Sequence, residues 1–184
     1  MPRSSAVAAL ALAVSLALAG CSSPASSDAP EPSAAPATGN TITGTGYTFV
    51  VPEGWDVPTD VTLPGADVLA ADLTDTDGFA DNVNVVLSPA GEVTPEQVES
   101  LGVDELEGAG ATDVAVGDRL TVAGSESAHL GAGLSSNGSD YLIEQYYVTH
   151  DGQTYVVTFS FSPTVSESDR DEVSESVLAT WDWS

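Results

Sequence analysis

From Thr41 to the end of the chain, apolar and polar residues alternate in short runs punctuated by glycine, proline and Asx-Gly steps. This is the pattern of half-buried strands joined by tight turns. Tyr47-Thr48-Phe49-Val50-Val51 predicts a strand stopped by Pro52, and Pro52-Glu53-Gly54-Trp55 a turn that returns an indole to the core. Val68 to Leu73 predicts a second strand. Asn82 to Ser88 predicts a third, with Val83, Val85 and Leu87 on one face. At Thr94-Pro95-Glu96-Gln97 the period changes: Thr94 can cap a helix, Pro95 suits its first position, and Gln97 can close a capping box. Val98, Leu101 and Leu106 are the expected inward stripe, Glu96, Glu99, Asp104, Glu105 and Glu107 the wet face, and Gly108 the stop.

The second half is more regular. A strand near Thr112 to Val116 and a segment Arg119 to Val122 lead through Gly124 into a longer strand, Ser127 to Ser135. Asn137-Gly138 separates that strand from Tyr141 to Thr149, and Asp151-Gly152 separates the next from Thr154 to Phe161. Asx-Gly pairs supply the positive φ of two-residue hairpins, so these three strands are expected as antiparallel neighbours. Tyr155, Val157, Phe159 and Phe161 share one face, which needs a cover. A C-terminal helix opened by Ser166 or Ser168 offers Val173, Val177 and Trp181 at intervals of four, with Leu178 beside them. Strands flanked by two separated helices predict an α+β domain with an antiparallel sheet of about six strands. No internal repeat divides it.

The N-terminus follows a different pattern. Arg3 precedes an uncharged run, Ala6 to Ala19, which reads as an export signal; about 14 apolar residues are too few for a permanent membrane span. Leu18-Ala19-Gly20-Cys21 resembles a bacterial lipobox, which implies cleavage between Gly20 and Cys21 and diacylglycerol on the Cys21 sulfur. Ser22 to Asn40 is Ser, Ala and Pro with only Asp28 and Glu31 charged, and reads as an extended, disordered tether. The chain thus divides into a signal peptide (1–20), a tether (21–40) and one α+β domain (41–184) on the outer face of the cell membrane.

Tyr47 to Trp55, Asp81-Asn82-Val83-Asn84-Val85-Val86, Gln145-Tyr146-Tyr147-Val148 and Thr154 to Thr158 together resemble the LpqN/LpqT group of actinobacterial lipoproteins, related to DcrB-like and PsbP-like domains of the Mog/PsbP fold. The resemblance spans nearly all of Thr41 to Ser184. It implies an antiparallel sheet between helices and an accessory, protein-interacting role in the cell envelope, without catalytic residues or cofactor.

Charge narrows the partners. Without residues 1–20 the chain carries two arginines against 28 carboxylates, one unit more negative than the −25 of the whole, and it has no lysine. Such a body repels nucleic acid and anionic headgroups, so membrane attachment is expected through Cys21 alone. With Cys21 lipidated, no thiol remains for a disulfide, a metal or a nucleophile.

The candidate chemistry is sparse. His129 in a strand and His150 beside a turn are expected in structural roles. Gly133-Leu134-Ser135-Ser136-Asn137 lacks the second glycine of a nucleophile elbow, and the paired glycines lack the third glycine and the lysine of phosphate loops. Asp72-Leu73-Thr74-Asp75-Thr76-Asp77-Gly78 suggests a calcium loop, but its register puts Leu73 and Asn84 at the anchoring positions, so no metal site is expected. Asn82 and Asn84 point to one sheet face; with Trp55 or Tyr146 they are the candidate lining of a binding groove, and Tyr141 and Tyr147 extend the aromatic content of that strand. The sequence predicts a non-enzymatic domain contacting an envelope protein. The alternative is a carrier holding a small apolar or lipid-like molecule between sheet and helix, which needs a cavity of about 300 Å³.

Overall fold

The computed structural model describes residues 29–76, 78–136 and 138–184. Gly20 and Cys21, the expected cleavage and lipidation positions, lie outside the described residues, as does the whole of the expected signal segment. In chain order the strands are β1 (Thr41–Gly44), β2 (Tyr47–Val50), β3 (Trp55–Asp56), β4 (Val68–Asp72), β5 (Asn82–Leu87), β6 (Thr112–Val116), β7 (Leu120–Val122), β8 (Ser125–Ser136), β9 (Ser139–His150), β10 (Gln153–Phe161) and β11 (Asp182–Trp183). Between β5 and β6 run α1 (Pro95–Gln97), a π-helical turn (Val98–Gly102) and α2 (Val103–Gly108); α3 (Glu167–Leu178) precedes β11.

The main sheet has eight strands in the order β3-β4-β5-β10-β9-β8-β6, with β7 also paired to β8, and every pairing is antiparallel. The hairpins at its centre follow from Gly138, Asp151 and Gly152, all at positive φ. A second, three-stranded sheet, β1-β2-β11, lies beside this main antiparallel sheet, where the pattern predicts one sheet of about six strands. The Tyr47 to Val51 strand belongs to this smaller sheet, because its partners are β1 and the C-terminal β11.

Register assigns the two faces of the main sheet. Tyr155, Val157 and Phe159 lie across from Leu87, Val85 and Val83 on one side and from Val148, Tyr146 and Glu144 on the other. This face is covered by the small sheet and α3, which bury Tyr47, Phe49, Val51, Val177, Leu178 and Trp181 against it. Tyr47 and Phe49 stack on the Trp181 indole at 4.5 and 5.4 Å between centroids. Each fully buried side chain of this kind contributes roughly 1.5–3 kcal/mol. α3 stops at Leu178, and Trp181 reaches the core from the turn that follows it rather than from the helix itself.

The opposite face carries a smaller cluster, Val98, Ala128 and Leu130, under α1, the π turn and α2. Thr94 caps α1 and forms the capping box with Gln97. The predicted stripe changes at Leu101, which is 56% exposed. The π turn adds a residue to the helical repeat, so Gly102, rather than Leu101, follows Val98 onto the sheet. A Cβ on Gly102 would sit 2.8 Å from Leu130 Cδ1, so the close approach of helix and sheet depends on its absence.

The segment expected as a free tether is laced to the domain from Ala29 onward. Ser33 and Ala34 donate to Glu175 on α3, Ala37 N donates to the Ser176 carbonyl, and Thr121 on β7 donates to the carbonyls of Ala29 and Pro30. Low side-chain hydrophobicity hid this docking, because its bonds are made by main chain and carboxylate.

Candidate functional site

Trp55 is 5% and Tyr146 2% exposed, and both belong to the core on the α3 face of the main sheet. Asn82 and Asn84 pair with Ser160 and Thr158 and therefore face the other way; Asn84 donates to the Thr158 carbonyl and Asn82 to that of Ala80. The sheet separates the two pairs, so the four residues do not line a common groove. Period-two alternation gives the faces of each strand. It cannot tell which face of β3 matches which face of β5 without the register.

The described residues hold three concavities of interest. The first lies between α3, β6 and the β8–β9 hairpin, with volumes of about 320 and 390 Å³ in its two lobes. At its floor Glu144, 4% exposed, accepts from His129 Nε2 at 2.8 Å and from Arg170 Nε at 2.7 Å. Arg170 also donates to the Val165 carbonyl, and the His129 ring stacks on Tyr146 at 4.2 Å. Gly117 covers the other side of His129: a Cβ there would lie 2.2 Å from Nδ1. Burial raises the Glu144 carboxyl, but the hydrogen bonds from His129 and Arg170 outweigh it and hold it below the usual carboxylate range. Burial, with the Glu144 charge second, pushes the Tyr146 phenol up. Among the described residues no serine or threonine hydroxyl is bonded to either histidine. His150 stacks on Trp183 at 4.3 Å. Both Glu144 oxygens are bonded within the cluster, as in a structural ion cluster.

The second is a groove of about 330 Å³ beside the π turn, lined by Val93, Val98, Leu101, Tyr147 and Val156. Burial pushes the Tyr147 phenol up to about 12, and its hydroxyl donates to Gln145.

The third, about 530 Å³, lies between β1, β4 and the loop that follows β3. Six large apolar side chains are exposed among the described residues, and three of them, Val57, Val61 and Leu63, line this groove. Asp67 holds the loop in place: its carboxylate accepts from Thr45 N and Oγ1 at 2.7 Å and from the Tyr47 hydroxyl at 2.9 Å. Burial raises the Asp67 carboxyl, but these bonds outweigh it and hold it below the usual carboxylate range. Asp72, the first acid of the suspected calcium loop, spends its Oδ1 on Thr74 N and Oγ1. Among the described residues no three metal-ligating side chains converge. No helix there is long and apolar enough to cross a membrane.

No family model and no curated protein matches the sequence. Solved structures do match the fold. LpqN of Mycobacterium tuberculosis, involved in cell envelope biogenesis, superposes with a TM-score of 0.53 at 15% identity over 77% of this chain and 88% of its own. Cyanobacterial PsbP (CyanoP) of Synechocystis sp. PCC 6803 gives 0.50 at 19% identity over 79% and 92%. A Bacteroides thetaiotaomicron VPI-5482 protein gives 0.49 at 13% identity over 75%, and this chain spans 45% of that structure's length. An antiparallel sheet between two covering layers is the fold of this chain, and it is the fold shared with LpqN and CyanoP.

Proposed function

We propose that this chain is a non-catalytic lipoprotein domain, anchored through Cys21 to the outer face of the cell membrane, that binds another protein of the envelope. The observation that carries the reading is the gathering of Val57, Val61 and Leu63 on the rim of one groove, where single exposed apolar residues would otherwise be scattered. The His129–Glu144–Arg170 cluster supports it, because no serine or threonine hydroxyl among the described residues is bonded to His129. The likeness to LpqN, a protein of envelope biogenesis, agrees in setting. Cys21→Ser is expected to move the protein from the membrane fraction to the soluble extracytoplasmic fraction, and retention of an unprocessed variant in the membrane overturns the anchor. Val61→Asp with Leu63→Asp is expected to abolish co-purification of the envelope partner while the circular dichroism spectrum is unchanged.

The groove beside the π turn favours a second reading, because its volume of about 330 Å³ reaches the size of a small apolar ligand site. A carrier would show a bound mass in native mass spectrometry that is lost in Leu101→Arg. The interaction reading expects no such mass.

A further inference from the structure

A sheet edge left without a partner strand exposes a row of N–H and C=O groups that recruits another chain, and proteins normally blunt it. Among the described residues most strand edges are blunted. β3 and β11 are two residues long. β6 carries a register shift between Thr112 and Ala115, with Asp113 at φ 53°. β7 is covered by the N-terminal segment, whose Ala29 and Pro30 carbonyls accept from Thr121. β1 has none of these devices. Thr41-Ile42-Thr43-Gly44 is uncharged, lacks proline, keeps continuous register with β2 and pairs with β2 alone. The two-residue Thr45-Gly46 connection makes Gly44–Tyr47 and Ile42–Phe49 the hydrogen-bonded pairs, so the main-chain groups of Thr41 and Thr43 point away from β2. Thr41, Ile42 and Thr43 line the groove that Val57, Val61 and Leu63 rim.

We infer that the open edge of β1 and the groove beside it take an extended segment of a partner protein as an added strand, with apolar side chains at alternate positions and basic ones between them. Strand addition draws affinity from main-chain hydrogen bonds and specificity from the pockets for alternate side chains. Thr41 and Thr43 offer the hydrogen bonds, and Val61 and Leu63 the apolar contact. Charge selects the occupant. Asp56 lies in the groove lining and Asp60 in the same loop, and none of the lining residues is basic. The two described arginines are committed elsewhere, Arg119 to Glu96, Glu99 and Glu126 and Arg170 to Glu144. A second copy would bring a body of the same large negative charge, and no basic side chain on its own β1 edge, against Asp56 and Asp60. The chain's own residues 22–28 contain neither a branched aliphatic nor a basic residue to match the groove.

The inference rests on the protein-interaction reading and is tested so that the two can fail separately. The protein, purified from its host in neutral detergent, is titrated with a fluorescent nine-residue peptide alternating valine and lysine. Controls are the same peptide with glutamate for lysine and with every second amide N-methylated. The lysine peptide is expected to bind, to protect the Thr41 and Thr43 amides from hydrogen exchange, and to weaken with salt. The glutamate and N-methylated peptides are expected to bind at least about tenfold more weakly. Thr43→Pro removes an outward N–H, and the extended conformation it asks of Ile42 is the one that residue already has, so the fold is expected to persist while peptide affinity falls about tenfold or more. Leu63→Asp is expected to do the same through the groove. No binding of the lysine peptide, equal binding of the glutamate peptide, or unchanged affinity in a folded Thr43→Pro variant overturns the inference. Self-association through the same edge, seen as a Thr43-dependent dimer in sedimentation, overturns it too. If Thr43→Pro and Leu63→Asp both still co-purify the envelope partner, this site falls while the interaction reading stands.

Discussion

Glu144 shows how one buried acid can organise its surroundings. It is 4% exposed on a face it shares with Val85, Val157 and Tyr146, and His129 and Arg170 compensate its burial by each donating to one of its oxygens. Removing a partner is therefore worse than removing the charge. Arg170→Met is expected to destabilise the domain by about 3–5 kcal/mol, and Arg170→Met with Glu144→Gln by clearly less, measured as urea midpoints. The pH dependence follows from the direction of the shift. The folded Glu144 carboxyl titrates below its unfolded value, so the stability it contributes is complete above the ordinary carboxylate range and is lost as pH falls through the folded value. Glu144→Gln is expected to lower stability at neutral pH and to remove that acid loss.

Asp171 behaves in the opposite sense. Burial, then the charges of Glu144, Glu167 and Glu175, raise its carboxyl, and His129 offsets them only in part. A raised folded value means that stability falls as pH rises through it. Asp171→Asn is expected to raise Tm at neutral pH, with the gain vanishing in acid, where the parent carboxyl is protonated.

At the level of elements, local chemistry was legible and register was not. Thr94, Pro95 and Gln97 identify a helix start because the cap is made within four residues, and Asp151-Gly152 identifies a hairpin because the turn geometry is local. The split into two sheets depends on β11, two residues beyond the reach of any periodicity argument, and on its pairing with β2 across the whole chain. The groove at β1 was missed for the same reason: it is formed by an edge and a loop, and the exposed Val57, Val61 and Leu63 show no strand or helix period. The π turn was missed because a single extra residue does not change composition. It carries its own prediction. Gly102→Ala is expected to cost about 1–3 kcal/mol by pressing on Leu130, whereas Leu101→Ser, at a side chain that points to water, is expected to stay within about 0.5 kcal/mol.

For the whole molecule the dominant long-range term is repulsion. Twenty-eight carboxylates face two arginines in residues 21–184, and both arginines serve as clamps between layers, Arg119 joining α1 and the π turn to β8 and Arg170 joining α3 to β9. Salt weakens these few attractions and screens a far larger number of repulsions, over a distance of about 10 Å at 0.1 M. The net sign therefore favours the folded state as salt rises. Tm is expected to increase by a few degrees between low salt and about 0.3 M sodium chloride, on a scale of about 2–4 °C per kcal/mol for a domain of this size. Calcium and magnesium separate diffuse screening from specific binding, because the acids between Asp72 and Gly78 do not converge as a site among the described residues. At equal ionic strength the two chlorides are expected to give superimposable Tm curves, and a gain confined to calcium would show that those acids hold the ion directly.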